Sequence, residues 1–213
     1  MILKTIALLS MIIDHYGAVF QSGIDIYRII GRLAFPIYAF LLVEGYAHTS
    51  NIKKYGRRLL IFALVSELPF DLAFYGKLGF THQNIFFTLF IGLVLMYLLD
   101  NNSGKYGINK SLLIIIAGLI ALVTAVDYNF IGIIYILTFY YTKDYPNPKK
   151  ILYQGFALFV TNFFLSGFTQ QYSILAIPII YFYNGKLGPN NKILQILFYF
   201  AYPLHLIIFY IMK

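Results

Sequence analysis

Long apolar runs broken only by short polar connections constrain this chain more than any motif in it. Nine such segments are legible: Ile2–Phe20, Ile29–Ala47, Leu59–Tyr75, Asn84–Leu99, Leu112–Ala125, Phe130–Tyr141, Ile151–Ser166, Tyr172–Tyr183 and Ile193–Met212. A helix that crosses a bilayer needs about 20 apolar residues, and somewhat fewer suffice where it is tilted or the bilayer is thinned. Only 11% of the 213 residues are charged, against roughly 25% in a soluble globular chain. That composition excludes a soluble enzyme of ordinary make-up, and 60% hydrophobic residues exclude disorder. The net charge of +8 rests on an apolar chain, which argues against a nucleic-acid module. The expected fold is all-α: a polytopic membrane helix bundle of about nine transmembrane helices, forming a single integral membrane domain over residues 1–213.

The connections set the orientation. Lys53, Lys54, Arg57 and Arg58 follow the second segment, Lys105 and Lys110 the fourth, Lys143, Lys149 and Lys150 the sixth, and Lys186 and Lys192 the eighth. The opposite side holds Arg28, Lys77 and the terminal Lys213. Cations concentrate on the cytoplasmic side of membrane proteins, so these four loops and Met1 are expected in the cytoplasm. The first apolar run lacks a small-residue cleavage site, since Asp14, His15 and Tyr16 follow it, and it reads as a retained span. Turn residues fill the links, as in Asn101-Asn102-Ser103-Gly104, Pro146-Asn147-Pro148 and Gly185-Lys186-Leu187-Gly188-Pro189.

A charge near the bilayer centre costs at least roughly 2.5–3.5 kcal/mol, so the residues that interrupt the apolar runs carry the information. Asp14 and His15 lie in the outer part of the first segment, with Lys4 near its inner start. Eleven residues separate Lys4 from His15, which is roughly 20° past three full turns and about 16.5 Å along the axis. They share a face. His15 reads as a general base oriented by a neighbouring carboxylate, or as half of a buried pair that knits helices together. Arg28 and Arg32 share a face at i, i+4, as do Glu67 and Asp71, which are their natural partners in a charge-paired lock or an outer site. Glu44 and His48 repeat the spacing at the inner end. They run into the basic stretch of Lys53, Lys54, Arg57 and Arg58, which suits the phosphates of a cytosolic anion or lipid headgroups. Outside, His82, Gln83, Asn84 and Thr88 open the fourth segment, Asp127 and Asn129 fill a turn, and His205 follows Pro203 in the last. The chain has no Cys, and its four His show no metal-binding spacing, so no metal is expected.

These residues are similar to the motifs of the TraX family of bacterial membrane proteins, named for the acetylase that acetylates the N-terminus of a conjugative pilin. The resemblance rests on Lys4-Thr5-Ile6-Ala7, Met11-Ile12-Ile13-Asp14-His15, Ile30-Gly31-Arg32-Leu33-Ala34-Phe35-Pro36, Glu44-Gly45-Tyr46-Ala47-His48-Thr49, Tyr55 with Arg58-Leu59, Ser66-Glu67-Leu68-Pro69-Phe70, Asn84 with Phe87-Thr88-Leu89, and Tyr202-Pro203-Leu204-His205. It is densest over residues 4–95. More distantly, Lys4 and His15 resemble the basic residue and essential His of the acyltransferase-three and wider transmembrane acyltransferase families. The resemblance implies acetyl transfer from cytosolic acetyl-CoA to an acceptor amine or hydroxyl, in a bacterial cytoplasmic membrane protein whose partners are membrane lipids, acetyl-CoA and an acceptor (peptide N-terminus, sugar or lipid), with no nucleic acid. His15, Asp14, Arg32 and Glu67 would be catalytic. Lys4, Glu44, His48, Lys53, Lys54, Arg57 and Arg58 would bind the acetyl-CoA. Arg28, Asp71, Asn84, Thr88 and His205 would shape the acceptor pocket, with Arg32 or Asn84 facing the oxyanion. The competing readings are a small transporter or flippase, whose polar residues form a path, and a structural subunit of a secretion or conjugation machine.

Overall fold

The structure is a computed structural model, and it describes residues 1–21, 23, 25–101, 107–183, 185 and 192–213. Lys105, Lys186 and the turn residues Asn102, Ser103, Gly104, Leu187, Gly188 and Pro189 lie outside the described residues. Every described regular element is helical: α1 (Ile2–Phe20), α2 (Asp25–Gly31), α3 (Ala34–His48), α4 (Ile52–Tyr75), α5 (Ile85–Asn101), α6 (Lys110–Val123), α7 (Asn129–Thr142), α8 (Lys149–Leu165), a 3₁₀ segment (Phe168–Leu175), α9 (Ala176–Tyr181) and α10 (Lys192–Met212). The all-α expectation holds.

Three departures from the expected segments have local causes. The second segment is two helices, with a turn at Arg32–Leu33. Pro36 has no N–H to offer the Arg32 carbonyl, and its ring crowds that carbonyl, so α3 restarts at Ala34 with Pro36 in its first turn. The basic stretch is not a loop. Asn51 caps α4 by accepting from the Lys54 N–H at 2.8 Å, so Lys53, Lys54, Arg57 and Arg58 lie on the first turns of a 24-residue helix. The eighth segment is a 3₁₀ run followed by the six-residue α9 rather than one α-helix.

Ile2–Phe20, Asp25–His48 and Ile193–Met212 are long and apolar enough to cross a membrane, whereas α5, α6 and α7 are apolar but shorter. The outer surface supports a membrane environment independently. Leu64 and Leu68 on α4, Ile115, Leu119 and Leu122 on α6, Phe156, Phe159 and Phe163 on α8, and Leu204, Ile207 and Ile211 on α10 all point outward and are exposed. Water penalises such surface by roughly 25 cal/mol per Å², and a contiguous apolar patch of this extent marks a lipid or protein contact. Lipid tails carry no such penalty.

Helix α3 occupies the centre, against α1, α5, α7 and α9, and buries residues on all sides, including Phe35, Ile37, Ala39, Leu42 and Val43. On one flank α1 packs against α2 and α10, and α4 against α10 and α5; on the other, α7 packs against α8. The α1–α2 contact is the closest approach that bears on function. A Cβ at Gly17 would overlap the Tyr27 Cβ, and one at Gly31 would overlap the Asp14 side chain. Each helix therefore presents a glycine where the other presents a side chain, in the manner of small-residue membrane interfaces. Gly17→Ala forces the Tyr27 backbone outward, because its collision is with a Cβ rather than a mobile chain end. The expected cost is about 1–3 kcal/mol, read as a lower midpoint of unfolding in detergent, with Gly155→Ala, a helical glycine that meets open space, as the control that leaves the midpoint unchanged or raises it.

Candidate functional site

The site starts from one carboxylate. Asp14 projects from α1 toward α2 and accepts from Arg28 Nη1 at 2.9 Å and from Arg32 Nη2 at 2.7 Å. Arg28 Nη1 also reaches the Asp14 carbonyl at 3.2 Å. The i, i+4 spacing of the two arginines brings both guanidiniums to one side of α2, and Gly31 between them leaves room for the carboxylate. Arg32 is held further: its Nε donates to the Arg28 carbonyl at 3.1 Å and its Nη1 to Gln170 Oε1 at 3.0 Å. The side chains of Asp14 and Arg32 are 13% and 14% exposed, that of Arg28 39%. Removing one partner of a buried pair leaves an uncompensated charge, at about 3–5 kcal/mol, while an exposed pair contributes about 0–1 kcal/mol. Arg32→Leu is therefore expected to lower the unfolding midpoint far more than Arg28→Leu, measured by denaturant titration in the same detergent.

Next to Asp14, His15 turns away from the carboxylate and into the bundle. Its Nδ1 lies 2.7 Å from Nε2 of His205 on α10. The His205 Nδ1 lies 2.7 Å from the Ala201 carbonyl. Both rings are buried. Phe74 and Tyr202 meet the His15 ring edge-on, with centroids at 5.2 Å and 5.7 Å. The group that holds His15 is thus His205, and not the adjacent Asp14 as expected, because Asp14 is already engaged by two arginines.

Two cavities meet at these residues. The larger, about 350 Å³, is lined by Asp14, His15, Arg28, Arg32, His82 and Asp127 with the aromatic wall of Phe70, Phe74, Tyr75 and Tyr128. The smaller, about 30 Å³, lies between His15, Asp14, Asp127, Tyr38 and Tyr202. The larger one falls in the usual size range for a small-molecule pocket.

Glu67, Asp71, Asn84 and Thr88 line neither cavity. The expected pairing of Glu67 and Asp71 with the arginines is corrected by their actual partners. Glu67 Oε2 accepts from the side-chain and backbone N–H groups of Asn84, at 2.5 Å and 3.2 Å. Asn84 Nδ2 also donates to the Ala63 carbonyl at 2.8 Å, and its Oδ1 accepts from Phe86 N at 3.1 Å. Asn84 is therefore a cap of α5 bound to α4, with no amide hydrogen left for an oxyanion. Asp71 accepts from Gly79 N at 2.9 Å, tying down the connection that follows α4. The Thr88 hydroxyl donates to the Asp127 carbonyl.

That connection brings His82 to the cavity rim, with its Nε2 3.6 Å from Asp127 Oδ1. The Asp127 carboxylate facing it raises the His82 pKa from its ordinary 6.5. A raised pKa means that the folded state binds the proton more tightly, so the stabilisation is full below about pH 6.5 and is lost as pH rises through the higher folded value. Thermal stability should fall over that window in the wild type, and His82→Ala should flatten the fall; an unaltered slope would disprove the pairing.

At the other end of the bundle, Lys53, Lys54 and Arg57 are exposed on one stretch of α4. Arg58 turns inward, donates to Gln195 Oε1 at 3.2 Å and lies over the rings of Tyr55 and Tyr199; it is near enough to Lys4 for their charges to interact. Among the described residues none of these cations is in an ion pair. His48 Nδ1 bonds the Glu44 carbonyl at 2.8 Å within α3, and the Glu44 side chain lies near Tyr183. The structure thus groups Lys4 with Arg58, and Lys53, Lys54 and Arg57 with one another.

A family model described as TraX protein matches residues 1–213. The chain belongs to the TraX family. It is similar to the probable fimbrial assembly protein FimC, serogroup H1, of Dichelobacter nodosus, with 27% identity over 232 residues covering 96% of this chain and 91% of that one. It is also similar to the uncharacterized protein RP591 of Rickettsia prowazekii (strain Madrid E), with 29% identity over 108 residues covering 51% of this chain and 40% of that one. No solved structure matches it.

In this TraX-family protein several site residues escape a sequence reading. Gln170, buried at the cavity, joins Arg32 to a polar network: Tyr135 OH donates to Asn162 Oδ1 at 2.6 Å and lies 2.8 Å from Ser173 Oγ, while Asn162 Nδ2 donates to the Gln170 carbonyl at 3.0 Å. The only signal is that Asn162 interrupts an apolar segment without carrying charge, whereas Gln170 lies in the connection between the seventh and eighth segments. Asp100, which receives hydroxyls from Tyr46 and Tyr140 and so joins α3, α5 and α7, sits just beyond the fourth apolar segment.

Proposed function

We propose that this TraX-family protein is a multi-pass acetyltransferase of the bacterial cytoplasmic membrane, a single domain of about nine spans with Met1 in the cytoplasm. It moves an acetyl group from cytosolic acetyl-CoA to an acceptor amine or hydroxyl. The observation that carries this reading is His15: a buried imidazole on the wall of a roughly 350 Å³ cavity, bonded through one ring nitrogen and with no hydrogen bond to the other among the described residues. Such a group is suited to general-base work near neutral pH.

In this mechanism the acceptor enters the cavity beside Asp14, Arg28 and Arg32. His15 takes the proton from the acceptor N–H or O–H as that atom bonds to the thioester carbonyl carbon. The tetrahedral adduct collapses with cleavage of the C–S bond, and the thiolate leaves with the proton carried by His15. The cations of Lys4, Lys53, Lys54, Arg57 and Arg58 suit the nucleotide phosphates, since they lack carboxylate partners among the described residues and are about 16.5 Å or more from His15 along the helical axes. Glu44 and His48 border that face.

His15→Ala in isolated membranes given labelled acetyl-CoA should lose about 10²–10⁴-fold in transfer rate at unchanged protein level; transfer at the wild-type rate would sink the mechanism. The name of the relative from Dichelobacter nodosus supports a second reading, a structural subunit of an assembly machine. It predicts that acetyl-CoA is neither bound nor consumed by the purified protein.

A further inference from the structure

We infer that His205 is a positioning residue that holds His15 in its Nδ1–H tautomer and so makes Nε2 the nitrogen that takes the acceptor proton. The inference rests on the acetyltransferase reading for its consequence, but not for its geometry. A backbone carbonyl can only accept, so the 2.7 Å contact with Ala201 O puts a proton on His205 Nδ1. In the neutral ring the His205 Nε2 is then a lone pair. That lone pair lies 2.7 Å from His15 Nδ1, which must therefore carry the hydrogen. By elimination His15 Nε2 is unprotonated. With both rings neutral, one arrangement satisfies both contacts, and it runs in one direction: His15 Nδ1–H to His205 Nε2, and His205 Nδ1–H to Ala201 O.

This is the less common tautomer. Free histidine in water favours hydrogen on Nε2, which would leave His15 with its lone pair aimed at another lone pair and a proton where the base is needed. The partner of one imidazole nitrogen decides which tautomer is present, and a base held in the wrong tautomer loses most of its effect even when its geometry is intact. The rings around the pair keep it aligned. Phe74 stands at 90° to His15 and Tyr202 at 78°, while Phe209 stands at 84° to His205. A half-turn of the His15 ring would break its bond to His205 with no replacement among these apolar edges.

Asp14 has no share in this. Its oxygens answer to Arg28 and Arg32, so the role that a carboxylate plays in other histidine-based sites falls here to a second imidazole. An imidazole partner fixes the tautomer without placing a negative charge against the base.

The test is ¹⁵N NMR of histidine-labelled full-length protein in lipid nanodiscs, with the four histidines assigned by single substitutions. Expected in the wild type is a His15 ring protonated at Nδ1 and bare at Nε2. In His205→Leu the His15 proton should move to Nε2. In His205→Gln the amide oxygen still accepts from Nδ1, and the wild-type pattern should persist. Transfer of labelled acetyl groups should drop about 10²-fold or more in His205→Leu and recover at least tenfold of that in His205→Gln. A wild-type His15 protonated at Nε2, or at both nitrogens, overturns the inference whatever the activity. A tautomer that moves in His205→Leu with transfer undiminished overturns the positioning role. The expected tautomers in a wild-type protein that transfers no acetyl group uphold the pairing and overturn the acetyltransferase reading alone.

Discussion

A carboxylate placed among apolar helices must be compensated where it stands, and Asp14 is compensated twice, by guanidiniums one helical turn apart on a neighbouring helix. Much of the local architecture follows from that demand. The two helices must approach closely enough for short side-chain contacts, which is why glycines 17 and 31 face side chains across the α1–α2 contact. The second helix must end where Arg32 can bend back to the Arg28 carbonyl and forward to Gln170, and Pro36 ends it there. The arginine in turn secures the 3₁₀ segment through Gln170, so the Asp14–Arg32 pair organises three separate pieces of chain.

With Asp14 satisfied by α2, His15 on the next position is free to face a different partner. Successive residues on a helix point about 100° apart, and the pair exploits it: the carboxylate looks to α2 and the imidazole to α10. The result is a cavity with ionic groups on one wall and a hydrogen-bonded imidazole on the other, bordered by aromatic rings from α4. The α4–α5 contact, through Glu67 and Asn84, holds that aromatic wall in place and contributes no group to the cavity itself.

The helical runs were legible because apolar segments of this length have few other structures open to them, and Ile2–Phe20 was readable to the residue. Asp14, His15, Arg32 and His205 are legible as residues, since each interrupts an apolar run at a cost, and Arg28 is legible by its i, i+4 spacing from Arg32. Their pairing is not. Two basic residues at i, i+4 and two acidic ones at the same spacing invite a match, yet Glu67 and Asp71 face a different direction on α4 and find an asparagine and a backbone amide. Spacing along one helix fixes a face, while the rotation of one helix against another depends on contacts such as Gly31 with Asp14 that no single segment contains. The start of α4 is hidden for a simpler reason: clustered charge marks a connection between apolar runs, yet Lys and Arg are good helix formers and Asn51 is available as a cap.

The break between α2 and α3 has an electrostatic effect as well. Each helix carries roughly half a positive charge at its N-terminus and half a negative one at its C-terminus. An unbroken helix over residues 25–48 would hold both poles at its far ends. The turn at Arg32–Leu33 puts two opposite poles side by side at the cavity instead. The negative end of α2 meets its own arginines, and the first residues of α3, Ala34 and Phe35, line the small cavity together with Asp14. The two poles oppose one another beside Asp14, so the main chain contributes little net field there and the anion depends on its two guanidiniums.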